Sequence, residues 1–213
     1  MFDGLLFDLD GTLWDSIDAI CHSWNQVLAR RAPQWAGVVT RANVTGCMGM
    51  LLPDIVRRLI PDLPQNEIKP LLDELMVEEN AYVAVHGGVL YPQVPETLAK
   101  LAEDYPLFIV SNCQAGYIEA FFQAHGLGGY FTDYENPGRT GKGKGENIAL
   151  VVARNGLERP LYIGDTQGDY DAATAAGVPF LHAAYGFGSL TRPAPSVSAF
   201  AALPAAVAQL SPP

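Results

Sequence analysis

"LLFDLDGTL", residues 5–13, decides how this chain is read: an apolar run with the look of a buried strand is broken at its end by Asp8 and Asp10. Taking carboxylates out of water costs several kcal/mol per ion, on the order given for buried charges, unless other groups offset it. In open parallel sheets the crevice beyond the carboxyl ends of the strands is where ligands bind. Two acids at such a strand end therefore mark a candidate site, and the strand that carries them is expected at the centre of the sheet.

Working outward, further short apolar runs read as buried parallel strands: "GLLFDL" (4–9) itself, "LFIVS" (107–111), "PLYIG" (160–164) and "VPFLHA" (178–183), with a weaker one in "YFTDY" (130–134). Helical spacing fills the gaps at 93–104, 114–125, 144–155 and 168–176. Strand and helix in alternation predict an α/β fold, a Rossmann-like parallel sheet with helices on both faces. Residues 15–87 break the rhythm. They show helical patterns at 15–31, 47–60 and 65–82, punctuated by Pro33, Pro53, Pro61 and Pro64, and no strand. The expected organisation is a core of residues 1–14 and 88–213 with an inserted all-helical cap domain at 15–87. Gly87 and Gly88 suit the hinge, and Pro92 suits a first helical turn after re-entry. The Ala- and Pro-rich tail, 193–213, is expected to end in one helix and then fray.

Composition narrows the function. With 213 residues, 49% of them hydrophobic, the chain can build a well-packed core. Thirteen basic against twenty-three acidic residues give a net charge of −10, the wrong sign for gripping a nucleic acid polymer through its phosphates. A small phosphorylated metabolite remains possible as a partner, because a bound cation and a lysine invert the sign locally. No run approaches the roughly 20 apolar residues of a membrane span, so no membrane partner and a cytoplasmic location are expected. Cys21, Cys47 and Cys113 are too few and too scattered for a disulfide framework or zinc site, and His22, His86, His125 and His182 form no metal-ligand pattern. Oligomeric state leaves no trace in the sequence.

Three strands end in polar pairs that would meet in one crevice: Asp8 with Asp10, Ser111 with Asn112, and Asp165 with Asp169. Four carboxylates gathered together call for a hard cation with oxygen ligands, and Mg²⁺ is the commonest intracellular choice. "GRTGKGKGENI" (138–148) adds Lys142 and Lys144 beside a helix start, where an anion is well received. An acid that attacks phosphorus, a cation and fixed donors are the parts of a phosphoryl-transfer site.

These stations resemble the four motifs of the haloacid dehalogenase superfamily of aspartate-nucleophile phosphatases. DxDGT stands as "DLDGT" at 8–12, the strand-end serine as "VSN" at 110–112, the lysine before a helix near 142–144, and GDxxxD as "GDTQGD" at 164–169. By composition alone DxDGT arises in about two of every thousand chains this long. The inserted helices are similar to the cap of the phosphoglycolate-phosphatase-like branch.

The resemblance implies a Mg²⁺-dependent phosphatase acting on small phosphomonoesters. It makes Asp8 the nucleophile and a metal ligand. Asp10 becomes the proton donor and acceptor, and its main-chain carbonyl a further ligand. Gly11 turns the chain so that Thr12 and neighbouring amides receive phosphate; Thr there accompanies phosphatases, where Val is typical of the sugar phosphomutases. Ser111 and the Asn112 amide hold the phosphoryl group, though a serine there also suits a helix cap. Asp165 binds metal directly, and Asp169 acts through a metal-bound water or by orienting the lysine. That lysine is Lys144 or Lys142; Lys144 is favoured because "KGENI" runs straight into the apolar helix, although neither is followed by the Pro common in the family. Cap contacts are expected from "TGCMGM" (45–50), Arg57 and Arg58, and "AYGFG" (184–188) lines the entrance or packs in the core. The alternatives are a phosphomutase and a non-catalytic binding module on the same fold. A phosphonate-cleaving relative would need a cap lysine, and the insertion has only Lys69.

Overall fold

Side chains alternate across a strand, so a strand buried on both faces must be apolar throughout. In β1 (Gly4–Phe7) Leu5 and Phe7 join one apolar cluster and Leu6 another, and all four residues are buried. The computed structural model describes residues 1–210. After β1 come β2 (Trp14–Asp15) and four helices, α1 (Ile17–Arg31), α2 (Arg41–Thr45), α3 (Leu52–Leu59) and α4 (Gln65–His86). The chain returns through β3 (Val89–Leu90) and continues as α5 (Val94–Asp104), β4 (Leu107–Val110), α6 (Tyr117–His125), β5 (Phe131–Glu135), α7 (Pro137–Thr140) and α8 (Lys144–Arg154). It closes with β6 (Pro160–Gly164), α9 (Gln167–Ala175), β7 (Phe180–Ala183), β8 (Ser196–Val197) and α10 (Leu203–Gln209).

The main sheet is six-stranded and parallel, in the order β5-β4-β1-β6-β7-β8. β1 lies inside it, with Leu5 paired to Leu107 on one side and Leu161 on the other. Residues of α5, α6 and α10 bury against one face, and those of α8 and α9 against the other. The α/β architecture with helices on both faces is therefore as expected. No helix among the described residues is long and apolar enough to cross a membrane.

Four details differ from the sequence reading. β8 follows what looked like the last strand, as a two-residue pairing too short for a pattern. α3 begins at Leu52, because residues 46–50 form turns after the short α2, whose start is capped by the Thr40 side chain. Pro92 lies in a turn before α5, and Pro95 occupies that helix's first turn. β2 and β3 pair antiparallel, Trp14 opposite Leu90 and Asp15 opposite Val89, where the chain leaves the sheet and where it returns. Gly88 is tightly held there: a Cβ would stand 2.7 Å from the Asp15 carbonyl oxygen. The tail does form one helix, α10; the fraying expected beyond it concerns residues 211–213, outside the described residues.

The helices α1 to α4 share an apolar cluster of their own, built on Ile17, Trp24, Val27, Leu28, Val56 and Leu71. They lie over the carboxyl edge of the sheet, joined to it by hydrogen bonds from Asn80 Nδ2 to the Ala115 carbonyl (2.9 Å) and from Asn112 Nδ2 to the Gly49 carbonyl (3.0 Å).

Candidate active site

Asp8 follows β1 directly, its backbone N–H donating to the Ile163 carbonyl of β6 at 2.8 Å, so the sheet ladder fixes its carboxylate. The chain then turns at Gly11, with φ +83°, a conformation that suits glycine. A Cβ there would fall 2.3 Å from Asp165 Oδ2, so two strand ends approach as closely as they do only because this side chain is missing. β6 brings Asp165, and Asp169 sits in the first turn of α9.

Lys144, the first residue of α8, is buried, and its ammonium lies against both Asp169 Oδ1 and Asp8 Oδ1, the latter at 2.8 Å. Lys142 is exposed and stands 3.9 Å from Glu146. Asp169 Oδ2 accepts from the Thr166 amide (2.9 Å) and hydroxyl (2.7 Å), capping α9 and aiming Oδ1 at the lysine. Burial alone would lower the Lys144 ammonium, but the charges of Asp169 and Asp8 outweigh it and hold it well above the ordinary lysine range.

Asp165 Oδ2 accepts the backbone N–H groups of Phe187 (2.7 Å) and Gly188 (3.3 Å). The 184–188 loop thus holds an acid of the site, and it also reaches the first loop, where the Tyr185 hydroxyl donates to the Thr12 carbonyl at 2.8 Å. This role was invisible in the sequence, since backbone donors carry no residue signature.

Asp10 takes no part in the cluster of ligand atoms within 4.8 Å of one another that Asp8, Asp165 and Asp169 form. Its Oδ1 instead accepts from Trp14 Nε1 (2.8 Å), the Ser16 hydroxyl and the Tyr117 hydroxyl (3.1 Å). None of these three donors was anticipated. Three donors on one oxygen fix the carboxyl group and leave Oδ2 without a bonded donor among the described residues.

Burial pushes the Asp8 carboxyl up to about 7, reinforced by Asp169 and opposed by Lys144. Burial likewise pushes Asp165 to about 8, with Asp169 and Asp8 adding to it, and raises Asp10 against its three hydrogen bonds. Acids so raised bind protons in the folded state that the unfolded chain releases near its ordinary value of about 4. Their favourable contribution is complete below that value and is lost as pH climbs through 7 and 8. Thermal melts in a chelator should therefore show the melting temperature falling by several degrees between about pH 5.5 and 8.5. A flat or rising profile would contradict this electrostatic picture.

Among the described residues, three buried oxygens have no hydrogen-bond donor, Asp165 Oδ1, Thr12 Oγ1 and Asn112 Oδ1, and Asp8 Oδ1 has only its contact with the Lys144 ammonium. The two carboxylate oxygens belong to the acidic cluster, so the donor set fits a hard divalent cation. Ser111 is buried and does not cap α6, whose cap position is Gly116. Asn112 spends its side-chain amide on Gly49 in the overlying loop, so only its backbone N–H remains for a phosphoryl group. Arg57 is exposed and paired with Asp54, and Arg58, also exposed, touches Met50 Sδ at 3.7 Å.

A cavity of about 50 Å³ separates the sheet edge from the helices above, lined from below by Asp8, Asp10 and Ser111 and from above by residues of "TGCMGM" and their neighbours. That is room for a few waters. The helices are closed down on the acids.

A buried carboxylate and ammonium cluster at the carboxyl edge of a parallel sheet, roofed by helices, lies where open α/β sheets bind their ligands and is the candidate active site. A model of the haloacid dehalogenase-like hydrolases matches residues 5–183. The chain belongs to that family. It is 29% identical over 217 aligned positions to the phosphoglycolate phosphatases of Escherichia coli K12 and Salmonella typhimurium, with 86% of this chain and 82% of theirs aligned. A haloacid dehalogenase-like family hydrolase from Streptococcus pneumoniae shares the fold at a TM-score of 0.82 and 21% identity, over 96% of this chain and 97% of that one. CbbY from Rhodobacter sphaeroides, crystallised with xylulose-(1,5)bisphosphate, does so at 0.74 and 17%, over 94% and 96%.

Proposed function

We propose that the enzyme is a Mg²⁺-dependent phosphatase that hydrolyses small phosphomonoesters through an aspartyl-phosphate on Asp8. The observation that carries this reading is the contact of Asp8 Oδ1 with the Lys144 ammonium, inside an acidic cluster in which the buried Asp165 Oδ1 has no donor among the described residues. An Asp8 carboxylate oxygen attacks phosphorus and the ester bond breaks; Asp10 protonates the departing alkoxide. Asp10 then takes a proton from water, which displaces phosphate and regenerates the Asp8 carboxylate. Ester and water become alcohol and inorganic phosphate.

Asp8, Asp165 and the Asp10 main-chain carbonyl would hold Mg²⁺, with Asp169 serving to steer Lys144. The ion supplies positive charge to the phosphoryl oxygens and to the gathered acids. Lys144, Ser111, the Thr12 hydroxyl and the backbone amides after Gly11 and Ser111 hold the transferring group. Residues 15–87 act as a cap on the 1–14 and 88–213 core, closing to exclude water. Thr12, where sugar phosphomutases in the family carry Val, favours hydrolysis over internal transfer.

The test is release of inorganic phosphate from a panel of metabolite phosphates with Mg²⁺, and its loss on chelation. Phosphoryl migration within a sugar phosphate, without release, would favour a mutase. Silence across the panel would favour a binding module.

A further inference from the structure

Glu79 lies within α4, is only 3% exposed, and lines the cavity from the cap side. Its Oε2 accepts a 2.6 Å hydrogen bond from Trp24 Nε1 on α1, and both side chains border the space in which an ester group would lie. The rest of that wall is apolar, formed by Ile20, Val44, Met48 and Leu52 among others. No lysine, arginine or histidine among the described residues lines the cavity. The titratable groups that face Glu79 are Asp10, Cys113 and Tyr117, none of them cationic. Lys144 is engaged below by Asp8 and Asp169.

Resting on the phosphatase reading above, we infer that Glu79 is a specificity residue: it selects phosphomonoesters whose alcohol portion ends in a hydrogen-bond donor, hydroxyl or ammonium, and turns away those that end in a carboxylate. A substrate carboxylate brought into this cavity loses its water and meets a second carboxylate with no cation between them. A hydroxyl or ammonium of the same size donates to Glu79 and satisfies it. Burial pushes the Glu79 carboxyl up to about 7, against the Trp24 hydrogen bond, so the discrimination is fullest in mildly alkaline solution. The same contact also ties α1 to α4, but a structural tie alone would be indifferent to the substrate's charge.

Three esters of matched size separate the readings: 2-hydroxyethyl phosphate, O-phosphoethanolamine and 2-phosphoglycolate, assayed with the full chain and Mg²⁺ at about pH 8.5. The expected kcat/KM for 2-phosphoglycolate is about tenfold or more below the better of the other two. Glu79→Gln, which keeps an acceptor for Trp24 and removes the charge, should narrow the gap to about threefold or less. If that variant fails to fold, the wild-type ranking decides alone. Equal or preferred turnover of 2-phosphoglycolate overturns the inference and leaves the phosphatase reading standing, as does hydrolysis of p-nitrophenyl phosphate with all three esters inert. No phosphate from any of the four overturns the phosphatase reading, and this inference with it.

Discussion

Asp8→Asn is expected to lower kcat for phosphate release by about 10⁴-fold or more while the protein remains folded. An amide of the same shape cannot form the acyl phosphate, and no other carboxylate can take its place. Asp169 is occupied by Lys144 and the α9 cap, Asp165 by the Phe187 and Gly188 amides, and Asp10 by three donors on Oδ1. The charge lost is one that burial penalises, since Asp8 is pushed up to about 7, and Lys144 keeps Asp169 as its partner. The melting temperature in a chelator should therefore stay level or rise. Phosphate assays and thermal melts on the two proteins check both halves. Residual activity within about a hundredfold of wild type would remove Asp8 from the nucleophile's place.

Lys144→Met should damage stability and turnover together. The substitution leaves Asp8 and Asp169, both buried, with no positive charge between them, and breaking a buried pair from one side costs about 3–5 kcal/mol. In a chain of this size that lowers the melting temperature by about 10 °C. Turnover should fall by about a hundredfold or more, the scale for losing a preorganised charge beside the reacting group. Lys142→Met is the control. That side chain is half exposed and only 3.9 Å from Glu146, a surface pair worth well under about 1 kcal/mol. Equal effects from the two substitutions would mean that the wrong lysine carries the role.

The clustering of Asp8, Asp165 and Asp169 was legible because strand ends and a helix start place them on the chain in a fixed order. Asp8 and Asp165 each follow a hydrophobic run that can only be buried, and Asp169 falls in the first turn of the helix after the second of them, so a parallel sheet brings all three to one edge. What stayed hidden depends on contacts that leave no mark in sequence. The Phe187 and Gly188 amides are backbone groups, and any residue would supply them. Trp14 on β2, Ser16 at the cap of α1 and Tyr117 on α6 reach Asp10 from up to 107 positions away. Glu79 stands next to Glu78 within the helical pattern at 65–82, and nothing in that pattern separates the two acids. One of the two pairs with Arg30 at the surface and the other points inward to a tryptophan 55 positions earlier. The two-residue ribbons and the five-residue α2 were too short for any periodicity to register.

The pairing of β2 with β3 carries one more meaning. Asp15 and Val89 are cross-strand neighbours, so the long helical excursion between them begins and ends at the same spot. To the sheet, the chain has made only a hairpin, a connection that a turn of two residues can satisfy. Lengthening or replacing what hangs from that tip adds little closure entropy, which grows only slowly with loop length. On the function proposed above, the chemistry and the choice of substrate would then sit on separable parts of the chain. A lineage built on this plan can exchange one roof for another and acquire a new substrate while the acids beneath go on performing the same reaction.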